Sequence, residues 1–375
     1  VIPRAIDNAP TVQADAIGSG SALFDGSSDY IEITDLSLTG AFTISAWINP
    51  DALDTVGVFG DKTNHDWFRF TDGDTAKFKI ASSDTGNWDS GVVFITDTWQ
   101  HLTITRDGSN VLRMYRDGVV GATTKTLSGT SAFEVIGASY ATDSGYWDGH
   151  ICQVGIWQGA LTQAVIQSVM EKTFEELTAT EKRLESSDGE ILNNGDFSAG
   201  TGSNATNWAA ENASVWIFDE DNNRYLWDDS AAGGGDYNIK QTAANMTVAN
   251  GLDTGKIYKL TINITANASE NPTMYVSGES SGHKLINNTV MTDGDNVFTF
   301  IYPVVGAGAD NDAIEVYSAA SNSYDFYLNS VSLIELDHDL VSYWALDEQT
   351  GTDGEAGTGG VKDSHGSNHG TMYDS

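Results

Sequence analysis

The chain has 375 residues, with 53 Asp and Glu against 18 Lys and Arg, a formal net charge of −35. A surface so acidic excludes nucleic acid and anionic membranes as partners, because phosphate groups are held by Lys and Arg. One cysteine excludes an internal disulfide framework and any cysteine-based zinc site, while 40% hydrophobic and 10% aromatic residues are enough to bury real cores.

The length suits about two domains, at roughly 100–200 residues each. No apolar run approaches the ~18 residues of a spanning helix. No basic-then-apolar leader precedes Pro3, so no secretion signal is expected. Residues 1–18 are expected to form an arm. In 41–48, Phe42, Ile44 and Ala46 fall on one face of a strand and Thr43, Ser45 and Trp47 on the other. Residues 100–105 alternate likewise, and 111–115 run into Arg116-Asp117-Gly118-Val119, where Asp-Gly signals a hairpin. Turn clusters such as Thr71-Asp72-Gly73-Asp74 and Arg106-Asp107-Gly108-Ser109 recur between strands. In 160–172, Leu161, Val165, Ile166 and Val169 make a helical stripe. Residues 173–184 are also helix-like and rich in Glu and Lys, and with Ser186-Ser187-Asp188-Gly189 they set the expectation of a linker over 173–190. A second β-rich block covers 191–336, with strand-like runs at 258–264, 274–276, 297–302, 313–317 and 326–333. The tail, 337–375, offers one strand at 340–346 and then Gly-rich polar sequence. The predicted class is all-β: tandem antiparallel β-sandwich (jelly-roll) domains with a short helical linker.

Several stretches carry a family likeness. Residues 20–26 with Asp29-Tyr30-Ile31, then 42–47, Trp99-Gln100-His101-Leu102, Tyr115-Arg116-Asp117-Gly118 and Trp147-Asp148-Gly149-His150-Ile151 follow one another in order. Over 19–172 this block resembles a laminin-G-like, concanavalin A-type jelly roll. Leu192-Asn193-Asn194-Gly195-Asp196-Phe197 and the closing run 326–333 make the second block similar to a carbohydrate-binding-module jelly roll. In the tail, 340–348 and 363–371 resemble the first strand and turn of another laminin-G-like module, an opening segment that the first block lacks. The tail is therefore expected to complete a sandwich instead of standing alone: by opening a further domain, by folding back on the first block, or by pairing as a swapped strand with a neighbouring subunit. Modules strung together in this way resemble the structural and fibre proteins of marine bacteriophages.

Chemistry for turnover is sparse. A glycosidase needs two carboxylates about 5–9.5 Å apart, and no strand shows the E-x-D-x-x-E alternation that supplies them. Asp219-Glu220-Asp221, Asp228-Asp229 and Asp310-Asn311-Asp312 read as solvated turns. His365 and His369 lie four apart in a Gly/Ser-rich loop, which is not the helical spacing of a metal pair. Ser82-Ser83-Asp84-Thr85-Gly86-Asn87-Trp88 is one residue short of an Asp-box turn. The family likeness implies a structural calcium in some members, but the ligand positions fall on Ser198, Asn329 and Cys152. These disfavour the ion, and no cofactor is expected.

Aromatic residues carry the case for binding. Trp67, Trp88 and Trp147 lie in or beside predicted turns, as do Trp208, Trp216, Trp227 and Tyr237. Sugar rings stack C–H faces on indole, each contact adding about 0.5–1.5 kcal/mol beyond area burial. Trp67, Trp88, Trp147, Trp208, Trp227 and Tyr237 are the candidate sugar contacts, set against core packing. Trp47, Trp99 and Trp157 sit within the strand pattern and read as core. Asn-x-Ser/Thr at Asn204, Asn212, Asn245, Asn263, Asn267 and Asn287 fits chance in an Asn- and Thr-rich chain. The sequence points to a non-enzymatic virion structural protein, a tail fibre, head fibre or decoration component, that attaches to host-surface glycan or stabilises the particle. Its expected partners are other virion proteins or copies of itself. The alternative is an extracellular one: an accessory carbohydrate-binding region of a secreted polysaccharide-degrading enzyme or adhesin.

Overall fold

The structure is a computed structural model, and its described residues are 7–8, 17–18, 20–62, 66–72, 75–80, 83–140, 144–247, 252–253, 255–266, 271–278, 284–302, 313–319, 321–347 and 360–373. Most of the expected arm, the Asp310-Asn311-Asp312 turn, Gly73-Asp74, Ser82, Asn267 and Glu348 lie outside them. The chain forms two compact units, Val1–Leu184 with Asp337–Ser375, and Glu185–Leu336.

The first unit is a sandwich of two antiparallel sheets. One runs Val119–Val120, Val111–Arg116, Gln100–Arg106, Phe42–Pro50 and Asp148–Gln158. The other runs Gly360–Val361, Gly370–Tyr373, Tyr30–Leu38, Ser131–Ile136, Val56–Gly60, Trp67–Asp72 and Thr75–Ile80. Alternation decides which side chains meet between them. Phe42, Ile44, Ala46 and Ile48 are fully buried on the inner face of their strand, facing a core that includes Phe68, Phe78 and Phe133. The outer face of the same strand is buried too, because the α-helix Gln163–Val169 covers it. The Thr162 side chain caps that helix by accepting from the Val165 amide. Trp47 Nε1 donates to the Met170 carbonyl at 2.9 Å, and Leu161, Ile166 and Val169 pack with Tyr115, Trp157 and Tyr343. The hairpin turn at Asp117-Gly118 has φ of 51° and 70°, the left-handed pair that a tight two-residue turn needs. Arg106 is fully buried; its guanidinium donates to the Gly40 and Gly129 carbonyls at 2.6 and 2.8 Å and lies 4.6 Å over the Phe42 ring.

The tail takes one of the expected courses. Its described residues, 337–347 and 360–373, fold back on the first block and complete the first unit. Asp339–Trp344 pairs antiparallel with Val154–Gln158, from Val154 against Trp344 to Gln158 against Asp339. Gly370–Tyr373 adds to Tyr30–Leu38 on the other sheet. The cause is physical: strand Asp148–Gln158 offers an open edge, and Leu340, Tyr343 and Trp344 are buried against it. The linker is corrected. Residues 173–182 hold a short 3₁₀ turn, Phe174–Glu176, and a four-residue helix, Ala179–Lys182, each opened by a Thr–Glu capping box. Residues Arg183–Glu190 then form a strand, despite their Ser, Asp and Gly, because they pair with the long strand Phe326–Trp344. Arg183 meets Asp339 with two parallel bonds of 2.7 and 3.0 Å.

The second unit is also a sandwich. Its five-stranded sheet runs Ala209–Ala210, Tyr237–Thr242, Ala313–Ser318, Thr273–Ser277 and Lys284–Val290. The facing sheet contains Gly294–Ile301, Ile257–Thr265, the first part of Phe326–Trp344, Arg224–Trp227 and Trp216–Asp219. Ile239, Met274, Val276, Ile314 and Val316 from the first sheet meet Leu260, Ile262, Leu328 and Leu333 from the second, all buried. On the other face of the five-stranded sheet Asn238, Ser277 and Glu315 are buried, while Lys240, Tyr275 and Tyr317 are half-buried.

Candidate functional site

In Thr273–Ser277 the buried Met274 and Val276 flank Tyr275, so Tyr275 projects from the outer face. Ile314 and Val316 flank Glu315 and place Tyr317 on the same face. The register sets Tyr317 directly opposite both Tyr275 and Asn238. A second row joins Lys240, Glu315 and Ser277. The two phenol rings stack with centroids 4.4 Å apart and planes 9° from parallel. Such a pair contributes roughly 0.2–1 kcal/mol to the sheet.

Polar groups surround the stack. Tyr275 Oη donates to Asp236 at 3.4 Å, and Tyr317 Oη to Glu315 at 3.1 Å. Asn238 Nδ2 donates to Glu211 at 3.0 Å. The Lys284 ammonium lies 4.1 Å from the centre of the Tyr275 ring. Asn238 is only 6% exposed, and its Oδ1 is buried with no hydrogen-bond partner among the described residues. Burial first, then the Glu315 carboxylate, pushes the Tyr317 phenol up to about 12. Burial and the neighbouring Asp236 raise the Tyr275 phenol in the same direction. Both phenols stay protonated across the physiological range. The face therefore offers two neutral phenols, three carboxylates and an amide, groups that hydrogen-bond a polyol.

A smaller aromatic row marks the first unit. Tyr30 stacks on Tyr373 at 4.8 Å and 6°, and Tyr146 lies 6.5 Å from Tyr30. Tyr146 comes from a hairpin laid over strand Val56–Gly60, an approach that requires glycine: a Cβ at Gly57 would meet the Ser139 amide at 2.2 Å.

The sequence-predicted contacts sit elsewhere. Trp88 and Trp147 are fully buried in the main core of the first unit, and Trp67 is 4% exposed beneath the Arg69 guanidinium. In the second unit Trp227 packs against Trp216 and Phe326, and Trp208 donates to the Asn193 and Asn194 carbonyls. Stacking a sugar requires a ring face open to solvent, and these five rings offer none in this conformation. Tyr237 is half-buried and packed against the second core. Position beside a turn does not expose a ring when neighbouring strands close over the turn. Tyr275 and Tyr317 went unmarked although the signal was present: each is an aromatic at a polar position of an alternating strand.

The calcium-type positions are likewise spoken for. Ser198 Oγ bonds Asp196, Asn329 donates to Asn263 and Thr265, and Cys152 is buried with Trp47 and Trp99, its thiol raised by burial. Asp219 accepts from Asn222 and Arg224, and Asp228 caps the helix Asp229–Ala232. His365 lies edge-on to Phe174, and His369 Nδ1 meets the Asp363 amide. Among the described residues, no group of three or more His, Cys, Asp or Glu is arranged to hold a metal ion.

Residues 25–167 match the model of the concanavalin A-like lectin/glucanases superfamily. No curated protein matches the chain. Similar solved structures include a heptameric SAP-like pentraxin from Limulus polyphemus, 16% identical over 40% of this chain and 80% of that one, with a TM-score of 0.33. A putative carbohydrate binding protein from Bacteroides ovatus is 19% identical over 39% of this chain and 46% of that one, with a TM-score of 0.33. Domain 4 of an extracellular arabinanase from Geobacillus stearothermophilus, solved with arabinotriose, is 22% identical over 46% of this chain and 86% of that one, with a TM-score of 0.34.

Proposed function

We propose that the chain is a non-catalytic glycan-binding β-sandwich protein and that the outer face of the five-stranded sheet in the second unit is its binding face. The observation that carries the reading is the polar cluster of Glu211, Asp236, Asn238 and Glu315 around the half-buried Tyr275 and Tyr317 phenols; with Tyr317 and Lys284 already against the Tyr275 ring, the face would engage a sugar through hydrogen bonds and not through stacking on that ring. The lectin/glucanase model matched by 25–167 supports a carbohydrate setting for the first unit. Support for a binding rather than a cutting role is that each carboxylate of the face is already bonded to a neighbouring phenol or amide. In a glycosidase one must be free to protonate the leaving oxygen.

The finer reading is a virion component, a fibre or decoration protein that attaches to host-surface glycan or stabilises the particle. It is supported by the tandem sandwiches and by the net charge of −35, which keeps closely spaced copies from sticking non-specifically. The description of the matched model, which joins lectins with glucanases, favours the other setting: an accessory region of a secreted polysaccharide-degrading enzyme or adhesin. A glycan array with the full chain and with the Tyr275→Ala and Tyr317→Ala variants tests the binding face. Binding that both variants lose supports it; binding that neither loses overturns it. Mass spectrometry of purified virus particles separates the two settings. Turnover of any polysaccharide that vanishes on changing one carboxylate would refute the non-catalytic reading.

A further inference from the structure

The outer face of the first unit's second sheet gathers positive charge that the fold does not balance. In Trp67–Asp72, Phe68 and Phe70 point into the core, and in Thr75–Ile80, Ala76, Phe78 and Ile80 do. Trp67 and Arg69 on one strand and Lys77 and Lys79 on the next therefore share the opposite face, Arg69 directly across from Lys77 and Trp67 from Lys79. Strand geometry puts the two lysine positions about 7 Å apart along their strand, and Arg69 about 5 Å from Lys77 across the ladder. The Arg69 guanidinium is held 4.2 Å over the Trp67 ring. Among the described residues none of these three cations meets a carboxylate, whereas Lys62, Arg113, Lys172 and Arg183 of the same unit each do. The acids nearest in the register are Asp84, across from Lys79, and Asp89, across from Thr75; they accept from the Gly86 and Gly91 amides at 2.7 and 2.9 Å. The three cationic side chains are half-buried, and of their nitrogens Arg69 Nε alone is enclosed without a partner.

Like charges directly across a ladder destabilise it, and a chain with 53 acidic residues has them to spare for position 69 or 77. Lysines also guard open sheet edges. Thr75–Ile80, however, is paired on both sides, with Trp67–Asp72 and with Ser83–Asp84 and Trp88–Asp89, so no edge needs them here. We propose that Arg69, Lys77 and Lys79 form a second binding site, for the sulfate or carboxylate groups of an acidic saccharide chain. A guanidinium meets either group with two parallel bonds, and the Trp67 ring beneath it limits how it can turn. The two ammonium groups add charge beside it. A saccharide fits this place because 69–79 lie within the residues, 25–167, that match the lectin/glucanase model. A second copy of the chain carries the same net charge of −35 and is repelled. Single-stranded nucleic acid is held on open aromatic faces, and Trp67 is 4% exposed. The site is separate from the tyrosine face of the second unit and shares with that reading only its carbohydrate setting.

The test is calorimetric titration of the full chain with dextran and dextran sulfate of equal length, one backbone without and with the anion. Polyglutamate and a single-stranded oligonucleotide serve as anions of other classes. At about 0.15 M salt, where exposed charges more than about 8 Å away are screened, dextran sulfate is expected to bind about tenfold or more tightly than the other three. In the Lys77→Gln/Lys79→Gln variant, which keeps part of both stems, that advantage falls about tenfold, while Tyr275→Ala leaves it in place. Should the double variant melt early, Lys77→Gln and Lys79→Gln alone are each expected to lose about threefold. Dextran sulfate binding no tighter than dextran, or matched by polyglutamate or the oligonucleotide, overturns the proposal. So does an advantage that survives in the lysine variants. If dextran sulfate binds through the lysines and no neutral glycan binds the chain, this site stands and the reading of the tyrosine face fails. Neutral glycan binding that Tyr275→Ala removes, with no advantage for dextran sulfate, gives the reverse result.

Discussion

Trp344→Ala should unfold the first unit early while leaving the second unit unchanged. Trp344 is fully buried: its relative exposure is 0%, its ring lies in the core with Phe42 and Ile44, and its Nε1 donates to the Asn368 carbonyl at 2.8 Å. Replacing a buried Trp by Ala costs about 3–5 kcal/mol, of which the hydrogen bond is about 1 kcal/mol. The Asn368 carbonyl is only part-buried, so water can take over that bond and the cavity dominates. At roughly 2–4 °C per kcal/mol for units of this size, the loss lowers Tm by about 6–20 °C. Differential scanning calorimetry reads it as movement of one transition. Movement of less than about 2 °C, or equal movement of both transitions, would refute the placement of the tail in the first unit's core.

Three further outcomes are expected. Arg183→Ala removes the two-pronged partner of Asp339, a residue 8% exposed, and should cost about 1–2 kcal/mol in denaturant titration, with the Asp339→Asn background recovering part of it. Although burial works to raise it, the Glu181 carboxyl is held at about 2 by bonds from Lys172, Ser168 and Thr178. Because the folded value lies below the unfolded one, its stabilisation is complete above about pH 5 and fades as the pH falls toward 2. Acid melting of Glu181→Gln should show a shallower dependence in that window. EDTA should leave both transitions in place, since Ser198, Asn329 and Cys152 occupy the calcium-type positions; a drop beyond about 10 °C would contradict this.

The sandwiches were legible because alternation survives in single strands: Phe42, Ile44 and Ala46 point inward as their spacing requires. The helix stripe Leu161, Ile166 and Val169 and the Asp117-Gly118 turn were legible for the same local reason. The partner of the tail was not. Ladder bonds are made by backbone groups that every residue carries, so 340–346 announces a strand without naming the edge it seeks. The strand Arg183–Glu190 hid behind turn-forming residues that tertiary pairing overrode. The proposed binding face was half legible. Trp marks aromatic richness, but the largest side chains are also those that cores recruit most readily, whereas Tyr275 and Tyr317 keep a polar tip at the surface.

Because Asp339–Trp344 fills the edge of Asp148–Gln158, all of Glu185–Leu336 is synthesised between two strands that must meet. At ~5–20 residues per second, that edge waits on the order of ten seconds for its partner during translation. The second unit shortens the search once it folds. Its own ends lie side by side, the Ile191 amide donating to the Leu333 carbonyl at 2.9 Å and the Leu333 amide to Glu190 at 2.7 Å. The effective loop between the two strands is thereby shortened, and the closure entropy falls with it. Folding of the second unit thus eases completion of the first by shortening the loop that its last strand must close.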